Sequence, residues 1–450
     1  MLINTFEISS GEELGVRGSK FNIFIPSFPD EGQFLVFNTL TDSRVIVNEE
    51  LKKVMEKAEK KSPLNGDEID YLNQLRELGI MVDDEVDEDR ELRYWFQRFK
   101  YDPSILSITI LTTYACNLGC TYCFQEGLHS PSFMDRDTSR KVIRWTSEKL
   151  RTLLPRTVEL VFYGGEPLLN PKAIRIISKG MSELTKPLGV QLNISIITNG
   201  VLIDGELVDF LLPLGLKEIK VTLDGDREAH DAKRPHRNGD GTFDAILQNL
   251  VQLEGKVPIS IGGNFDDSNK GSIPRLLDLL GECGFNGHLK RIGFKPIFSS
   301  LEAAKRPGSS FNPCTFSDFN VEDMLWLRSE VEKRGFPCEG GIALGPCEAA
   351  RENAYTIDPY GKIYKCPGSA GMDEFVIGDI NEDELNYRNT QFMTFDPCEI
   401  CRGCPYIPIC GGGCRMGAYI KKGDFQDIAC EKNYFYKAAP EIVKYEYLAG

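Results

Sequence analysis

Cys116, Cys120 and Cys123 fall on one short stretch, YACNLGCTYCFQ, residues 114–125. Three thiolates this close grip a metal centre from one side and leave the rest of its coordination sphere to something else. A structural zinc site is closed by four ligands, and no fourth Cys or His follows at ordinary spacing, His129 lying six residues past Cys123. Three thiolates on a 4Fe-4S cluster instead leave one iron without a protein ligand, free to bind a small molecule. A second field lies downstream, with eight of the 14 cysteines between Cys347 and Cys430. Thiols in a reducing compartment serve as metal ligands or catalytic groups more often than as disulfides. The compartment read here is the cytoplasm: the opening MLINTFEISSGEELG is polar and acidic, and no run approaches about 18 apolar residues.

These cysteines need elements to position them. A chain of 450 residues that is 41% apolar can bury several cores, and its net charge of −15 argues against nucleic acid and anionic membranes as partners. Residues 1–102 open with three strand-like runs, KFNIFIP, QFLVFNTL and RVIVN, divided by turn residues. Helical spacing follows in EELKKVMEKAEKK and DEIDYLNQLRELG, and, after an acidic DDEVDED read as a solvated linker, in RELRYWFQRF. From residue 103 to 310 six buried strands, in SITILTTYA, VELVFYGG, LNISIITNG, EIKVTLDG, PISIGGNF and RIGFKPIF, alternate with amphipathic helices. Six βα units fall short of the eight-stranded barrel and place the active face at the carboxyl ends of the strands, where Cys116 lies. A connector with the helix VEDMLWLRSEVEKRG spans 311–337, and the cysteine-rich unit spans 338–450.

C-x3-C-x2-C with Tyr122 before the last cysteine resembles the radical S-adenosylmethionine (radical SAM) enzymes, and the likeness runs over about residues 107–300. GGEP, at Gly164, Gly165, Glu166 and Pro167, ends the second strand as does that family's motif for the methionine ammonium group. VTLDGDREAHDAKR matches a run in which Thr222 would meet the ribose and Arg234 the methionine carboxylate; the alternative for Arg234 is an ion pair. TNG, Thr198 to Gly200, is either a turn or a cofactor contact. The resemblance implies that the open iron chelates S-adenosylmethionine, and that reductive cleavage yields a 5′-deoxyadenosyl radical which removes an unactivated hydrogen.

Cys347-x13-Gly361-x4-Cys366, then Cys401, Cys404, Cys410 and Cys414, then Cys430 match the seven-cysteine SPASM extension of radical SAM peptide-modifying enzymes. That likeness implies two auxiliary 4Fe-4S clusters, making three in all. Cys347, Cys366 and Cys414 would hold one, with Cys338 as fourth ligand and Cys398 a competing thiol; Cys401, Cys404, Cys410 and Cys430 would hold the other. Cys283 and Cys314 are ordinary thiols. Three strands and three helices at the N-terminus resemble the winged-helix element by which maturases of ribosomally made peptides grip a leader, with Arg44 to Asn48 the edge for strand addition and Val45 and Val47 on one face. DEIDYLNQLRELG is too acidic for a major groove.

The sequence therefore reads as an α/β protein: a partial (β/α)6 radical SAM barrel with an N-terminal winged-helix-like domain and a C-terminal iron-sulfur SPASM domain. The activity implied is oxidative modification of a precursor peptide, forming a thioether or carbon–carbon cross-link, with flavodoxin or ferredoxin as electron donor. Formylglycine formation on a sulfatase or peptide epimerisation are the other enzymatic readings. Pro367 stands after Cys366 where a sulfatase-maturing enzyme carries an acidic base. Outside enzymes, a zinc-binding winged-helix interaction protein would account for the cysteines but not for GGEP.

Overall fold

One small N-terminal sheet buries both of its faces. The computed structural model describes residues 14–123, 125, 132–297, 321–342, 345–382 and 384–449; His129, Cys314 and the proposed boundary at 310–311 lie outside them. β1 (Val16–Gly18) and β5 (Met81–Asp83) form an antiparallel pair, while β2 (Asn22–Pro26), β3 (Gln33–Asn38) and β4 (Arg44–Asn48) form an antiparallel sheet in that order. Val36, Val45 and Val47 pack towards Met55 of α1 (Glu49–Glu59) and Leu72 of α2 (Gly66–Glu77). The alternate residues Leu35, Phe37 and Ile46 pack with Val443 of the C-terminal helix Lys432–Ala449, as a strand's period of two requires. β1 and β5 escaped the sequence reading because three residues are too few to display that period.

The acidic stretch DDEVDED is not a solvated linker. Asp83 ends β5, Asp87 caps α3 (Glu88–Lys100) by accepting from the Arg90 N–H, and Glu88 is only 4% exposed. Glu88 accepts from the Ser19 hydroxyl at 2.5 Å and pairs with Arg17, so its charge is buried with partners, as burial demands.

Six parallel strands follow in chain order, β6 (Ile105–Leu111), β7 (Thr157–Tyr163), β8 (Gln191–Thr198), β9 (Leu216–Thr222), β10 (Ile259–Phe265) and β11 (Leu289–Pro296). Between them lie α4 (Arg136–Leu153), α5 (Pro171–Thr185), α6 (Gly205–Leu211), α7 (Arg227–Lys233), α8 (Phe243–Leu253) and α9 (Ile273–Glu282). This is the expected partial barrel, and Ile108, Ile110, Leu160, Ile194 and Ile261 are buried in one core with residues from α4, α5 and α9. The sheet is larger than expected, because β12 (Ala354–Ile357) pairs parallel to β6 and carries β13 (Lys362–Tyr364) and β14 (Gly378–Asp379) antiparallel beside it. The far edge is also covered: Cys338 forms a parallel bridge with Ile292 of β11, and the Glu339 N–H donates to the Ile292 carbonyl at 2.6 Å. No helix among the described residues is long and apolar enough to cross a membrane.

The end of β7 lies backbone to backbone against the stretch that enters the cysteine loop. The Gly165 N–H donates to the Thr113 carbonyl at 3.0 Å and the Glu166 N–H to the Ala115 carbonyl at 2.9 Å. A Cβ at Gly164 would stand 2.4 Å from the Thr113 oxygen, at a φ of +132° that favours glycine, and one at Gly165 would stand 2.3 Å from the Ala115 oxygen. These glycines admit the loop's own backbone. Gly165→Ala should therefore cost about 1–3 kcal/mol, typical of overpacking, and should shift residues 113–116. A lowered melting temperature with loss of iron at the Cys116 loop is expected; a variant unchanged in both would show that the contact yields freely.

Candidate active site

A cavity of about 580 Å³ opens at the carboxyl ends of the barrel strands. Cys116, Cys120 and Cys123 line it with Gly164, Gly165, Glu166, Asn199, Thr222 and Arg234, so these residues, scattered through 119 positions of sequence from Cys116 to Arg234, share one space. Burial pushes the Cys116 thiol up and the Cys120 thiol up to about 11, while the Arg234 charge works the other way on both. The Leu118 N–H points to the Cys116 sulfur at 3.5 Å and the Asn199 side-chain amide reaches it at 3.9 Å.

Glu166 is fully buried, and its carboxylate ties three segments together. It accepts from the Thr198 hydroxyl at 2.7 Å, the Asn199 N–H at 2.8 Å and the Leu168 N–H at 2.9 Å. Burial raises its pKa, and those three donors oppose the rise. The first two residues of TNG are thus held by GGEP and line the cavity, and Asn199 carries its amide onward to the cysteine loop.

Arg234 is 8% exposed and donates to the Tyr122 hydroxyl at 2.6 Å. The same hydroxyl bonds Asp224 and receives the Asn264 amide at 3.0 Å, while the Asn264 N–H donates to Asp224 at 2.7 Å. Burial works against the Arg234 charge, yet Tyr122 and Asp224 beside it hold it protonated. Within the same run His230 is a structural residue: it accepts from the Asp224 N–H at 3.2 Å, lies 3.1 Å from the Thr242 hydroxyl, and burial followed by the Arg234 charge draws its pKa down to about 3. Asp224 and Asn264 were missed by the sequence reading. Asp224 stands within the quoted VTLDG, whereas nothing local marks Asn264 at the end of β10.

The donor set fits a SAM-type group. The Arg234 Nε and the Gln125 side-chain nitrogen are buried without an acceptor among the described residues, and both residues line the cavity; a carboxylate and a ring nitrogen are the chemistry such donors lack. Thr222 lines the wall at the end of β9.

Cys366 and Cys414 line this same cavity. Burial, then the Cys347 and Cys414 sulfurs, push the Cys366 thiol up to about 12, so Cys347, Cys366 and Cys414 form one group. The Gly368 N–H points to the Cys366 sulfur at 3.3 Å and the Gly417 N–H to that of Cys414 at 3.4 Å. Cys401, Cys404 and Cys430 form a second group, with Cys410 coupled to it through Cys401. The Cys338 sulfur lies 3.6 Å from the Arg328 carbonyl, and the charged groups that bear on it are Arg328 and Glu332. Its backbone bridges β11 at Ile292. Cys398, the competing thiol, is buried with Leu92 and Phe96 of α3, and Cys283 closes α9 without a disulfide among the described residues. Among the described residues no three His, Cys, Asp or Glu side chains converge closely enough for a single metal ion.

The Radical SAM superfamily matches residues 110–285. The radical SAM cyclopropyl synthase TigE of Paramaledivibacter caminithermalis is 22% identical over 445 residues, covering 87% of this chain and 88% of that protein. A cysteine-type anaerobic sulfatase-maturating enzyme of Clostridium perfringens is 26% identical over 366 residues, covering 74% and 93%. Among solved structures, Streptococcus suis SuiB bound to its precursor peptide SuiA matches with a TM-score of 0.54 at 15% identity, covering 93% of this chain and 99% of that one. Matching family model, barrel, cysteine loop and cavity agree: residues 110–285 form a radical SAM domain.

Proposed function

We propose that the chain is a maturase which oxidatively cross-links a ribosomally synthesised precursor peptide. The observation that carries this is the sharing of one cavity by Cys116, Cys120 and Cys123 with Cys366 and Cys414. A site for taking hydrogen and a site for accepting an electron then face the same substrate. Cys116, Cys120 and Cys123 would hold one 4Fe-4S cluster; Cys347, Cys366 and Cys414 a second; Cys401, Cys404, Cys410 and Cys430 a third. Bound here, S-adenosylmethionine and its cluster supply a 5′-deoxyadenosyl radical that takes hydrogen from an unactivated carbon, and the other clusters supply an electron acceptor. Around them Arg234 and Gln125 would orient the cofactor, Thr222 would meet its ribose, and Glu166 would hold Asn199 and the cysteine loop in place. An electron donor of the flavodoxin or ferredoxin type and a cytoplasmic setting accompany this reading.

Residues 1–102 would recognise the leader and residues 338–450 would carry the auxiliary clusters. The hydrogen-bond alternation of β3 supports strand addition at β4. The Asn38 N–H donates to Ser43 at 2.9 Å and the Thr39 N–H to Phe21 at 3.0 Å, so the even residues of β3 serve β4 and the odd ones serve β2. By register Val45 and Val47 turn inward to β3, and Arg44 and Ile46 present their N–H groups at the open edge. Ile46→Pro should weaken leader affinity about fivefold or more by removing one outward donor, whereas Ile46→Ala, which keeps that N–H, should not share the loss. Fluorescence anisotropy with labelled leader reads both. Equal weakening by the two variants would instead make Ile46 a packing residue and the edge irrelevant.

Sulfatase maturation is the competing reading, since such an enzyme is among the relatives. Here the position after Cys366 is Pro367, which lines the cavity and can accept no proton. Co-expression with the neighbouring short peptide should give a product lighter by two hydrogens, resistant to fragmentation between the joined residues and inert to hydrazide. Hydrazide capture would transfer the assignment to formylglycine formation, and an unchanged mass with one inverted α-carbon to epimerisation.

A further inference from the structure

Arg415 lies deep in the C-terminal unit, 7% exposed, with its guanidinium over the Phe395 ring at 3.6 Å. Its four acceptors are all backbone carbonyls: Gly412, Gly413 at 2.9 Å, Asp427 at 2.6 Å and Phe425 at 3.1 Å. No carboxylate lies within ion-pair distance of it among the described residues, and the one buried carboxylate that acts on its charge is Glu431. A buried cation cradled only by neutral dipoles is costly unless an anion lies near.

The location of the cradle identifies that anion. Gly411, Gly412 and Gly413 are the three residues joining Cys410 of one cysteine group to Cys414 of the other. The Ala429 N–H, next to Cys430, donates to the same Gly412 carbonyl at 3.2 Å. Arg415 also lines a small crevice with Cys347 and Gly411. The guanidinium thus sits on the segment that joins the ligands of both groups.

We propose that Arg415 is the shared countercharge of the two C-terminal cysteine groups, stabilising both clusters they bind and raising the reduction potential of each. This rests on the two-auxiliary-cluster reading above. A cation between two anionic cubes favours the electron-rich state of either, because added negative charge is attracted to it. Its position on the connecting glycines spreads that effect over both centres, which keeps the step between them nearly level.

The test uses the full chain with Cys116, Cys120 and Cys123 replaced by Ala, so that only auxiliary centres remain. Iron content and the midpoint potentials of the reduced-cluster EPR signals are measured for this parent, for Arg415→Gln and for Arg415→Lys. Expected is full iron in the parent, both potentials lowered in Arg415→Gln, and near-parental values in Arg415→Lys; loss of iron in Gln but not in Lys also supports a role for the charge. Full iron with unmoved potentials in Arg415→Gln overturns the proposal, as does equal loss of iron in both variants, which would mark Arg415 as a tie for the glycine loop. A parent without iron would defeat the two-cluster reading itself, a result distinct from either.

Discussion

A carbonyl oxygen needs a neighbour without a side chain if a second backbone is to cross directly over it, and the site depends on two such crossings. Thr113 and Ala115 lead from β6 into the cysteine loop, and their carbonyls are met by the N–H groups of Gly165 and Glu166 at the end of β7. Because Glu166 is placed by this contact, so is its carboxylate, which in turn fixes Thr198 and Asn199 at the end of β8. Three consecutive strand ends are thereby locked into one frame before any cofactor is considered. A buried carboxylate with three donors is expensive to leave half satisfied, so the frame is either complete or absent.

The other half of the barrel is organised by charge. At the foot of the strands Glu218 takes Ser260, Lys290 and Arg291, and further up Lys220 of β9 pairs with Glu339 at 2.5 Å. Room for that second pair comes from missing side chains: a Cβ at Gly262 would lie 2.7 Å from the Lys220 stem, and one at Gly293 2.5 Å from Cβ of Glu339. Since Glu339 belongs to the segment that bridges β11, the ion pair also ties the covering segment to the barrel edge. The cavity therefore has one wall rich in Val161, Tyr163 and Ile197 and one polar wall, suited to seating a peptide residue with both an apolar body and hydrogen-bonding groups.

Much of this was legible in the sequence because the signals are local. Cys116, Cys120 and Cys123 announce their site by spacing, the six barrel strands by short runs rich in apolar residues, and α1, α2 and α3 by helical period. What stayed hidden depends on tertiary pairing. Glu88 reads as one more acid in a charged run until Ser19 and Arg17 are brought to it from some 70 residues away. The strands β12 to β14 are two to four residues long and become strands only by docking on β6. Cys338 has a plausible place in the count of ligands, yet counting cannot reveal that its neighbours in space are Arg328 and Ile292. Asn264 and Glu339 reach the cavity through strand register alone.

The same reasoning bears on how the N-terminal residues belong to the enzyme. If they were a detachable module, their contacts with the rest would be polar and few. Instead Phe21, Leu92 and Phe96 are buried together with Ile407 and Cys398, and Cys401 and Cys404 pack against them. The Thr39 hydroxyl donates to the Pro405 carbonyl at 2.5 Å, immediately after Cys404. Lys100, closing α3, is 3% exposed and donates to the Met393 and Phe395 carbonyls at 2.8 and 2.9 Å, the latter belonging to the ring on which Arg415 rests. On the opposite face of the small sheet Arg44 of β4 meets Glu446 at 2.9 Å, and Glu446 also accepts from the Ile342 N–H at 3.2 Å, three residues beyond the Glu339 that enters the barrel. One side of the N-terminal fold thus forms the apolar wall of a cysteine group, and the other grips the segment that closes the catalytic barrel. β4 itself belongs to the second of these, through Arg44 to Glu446 and Ile46 to Val443.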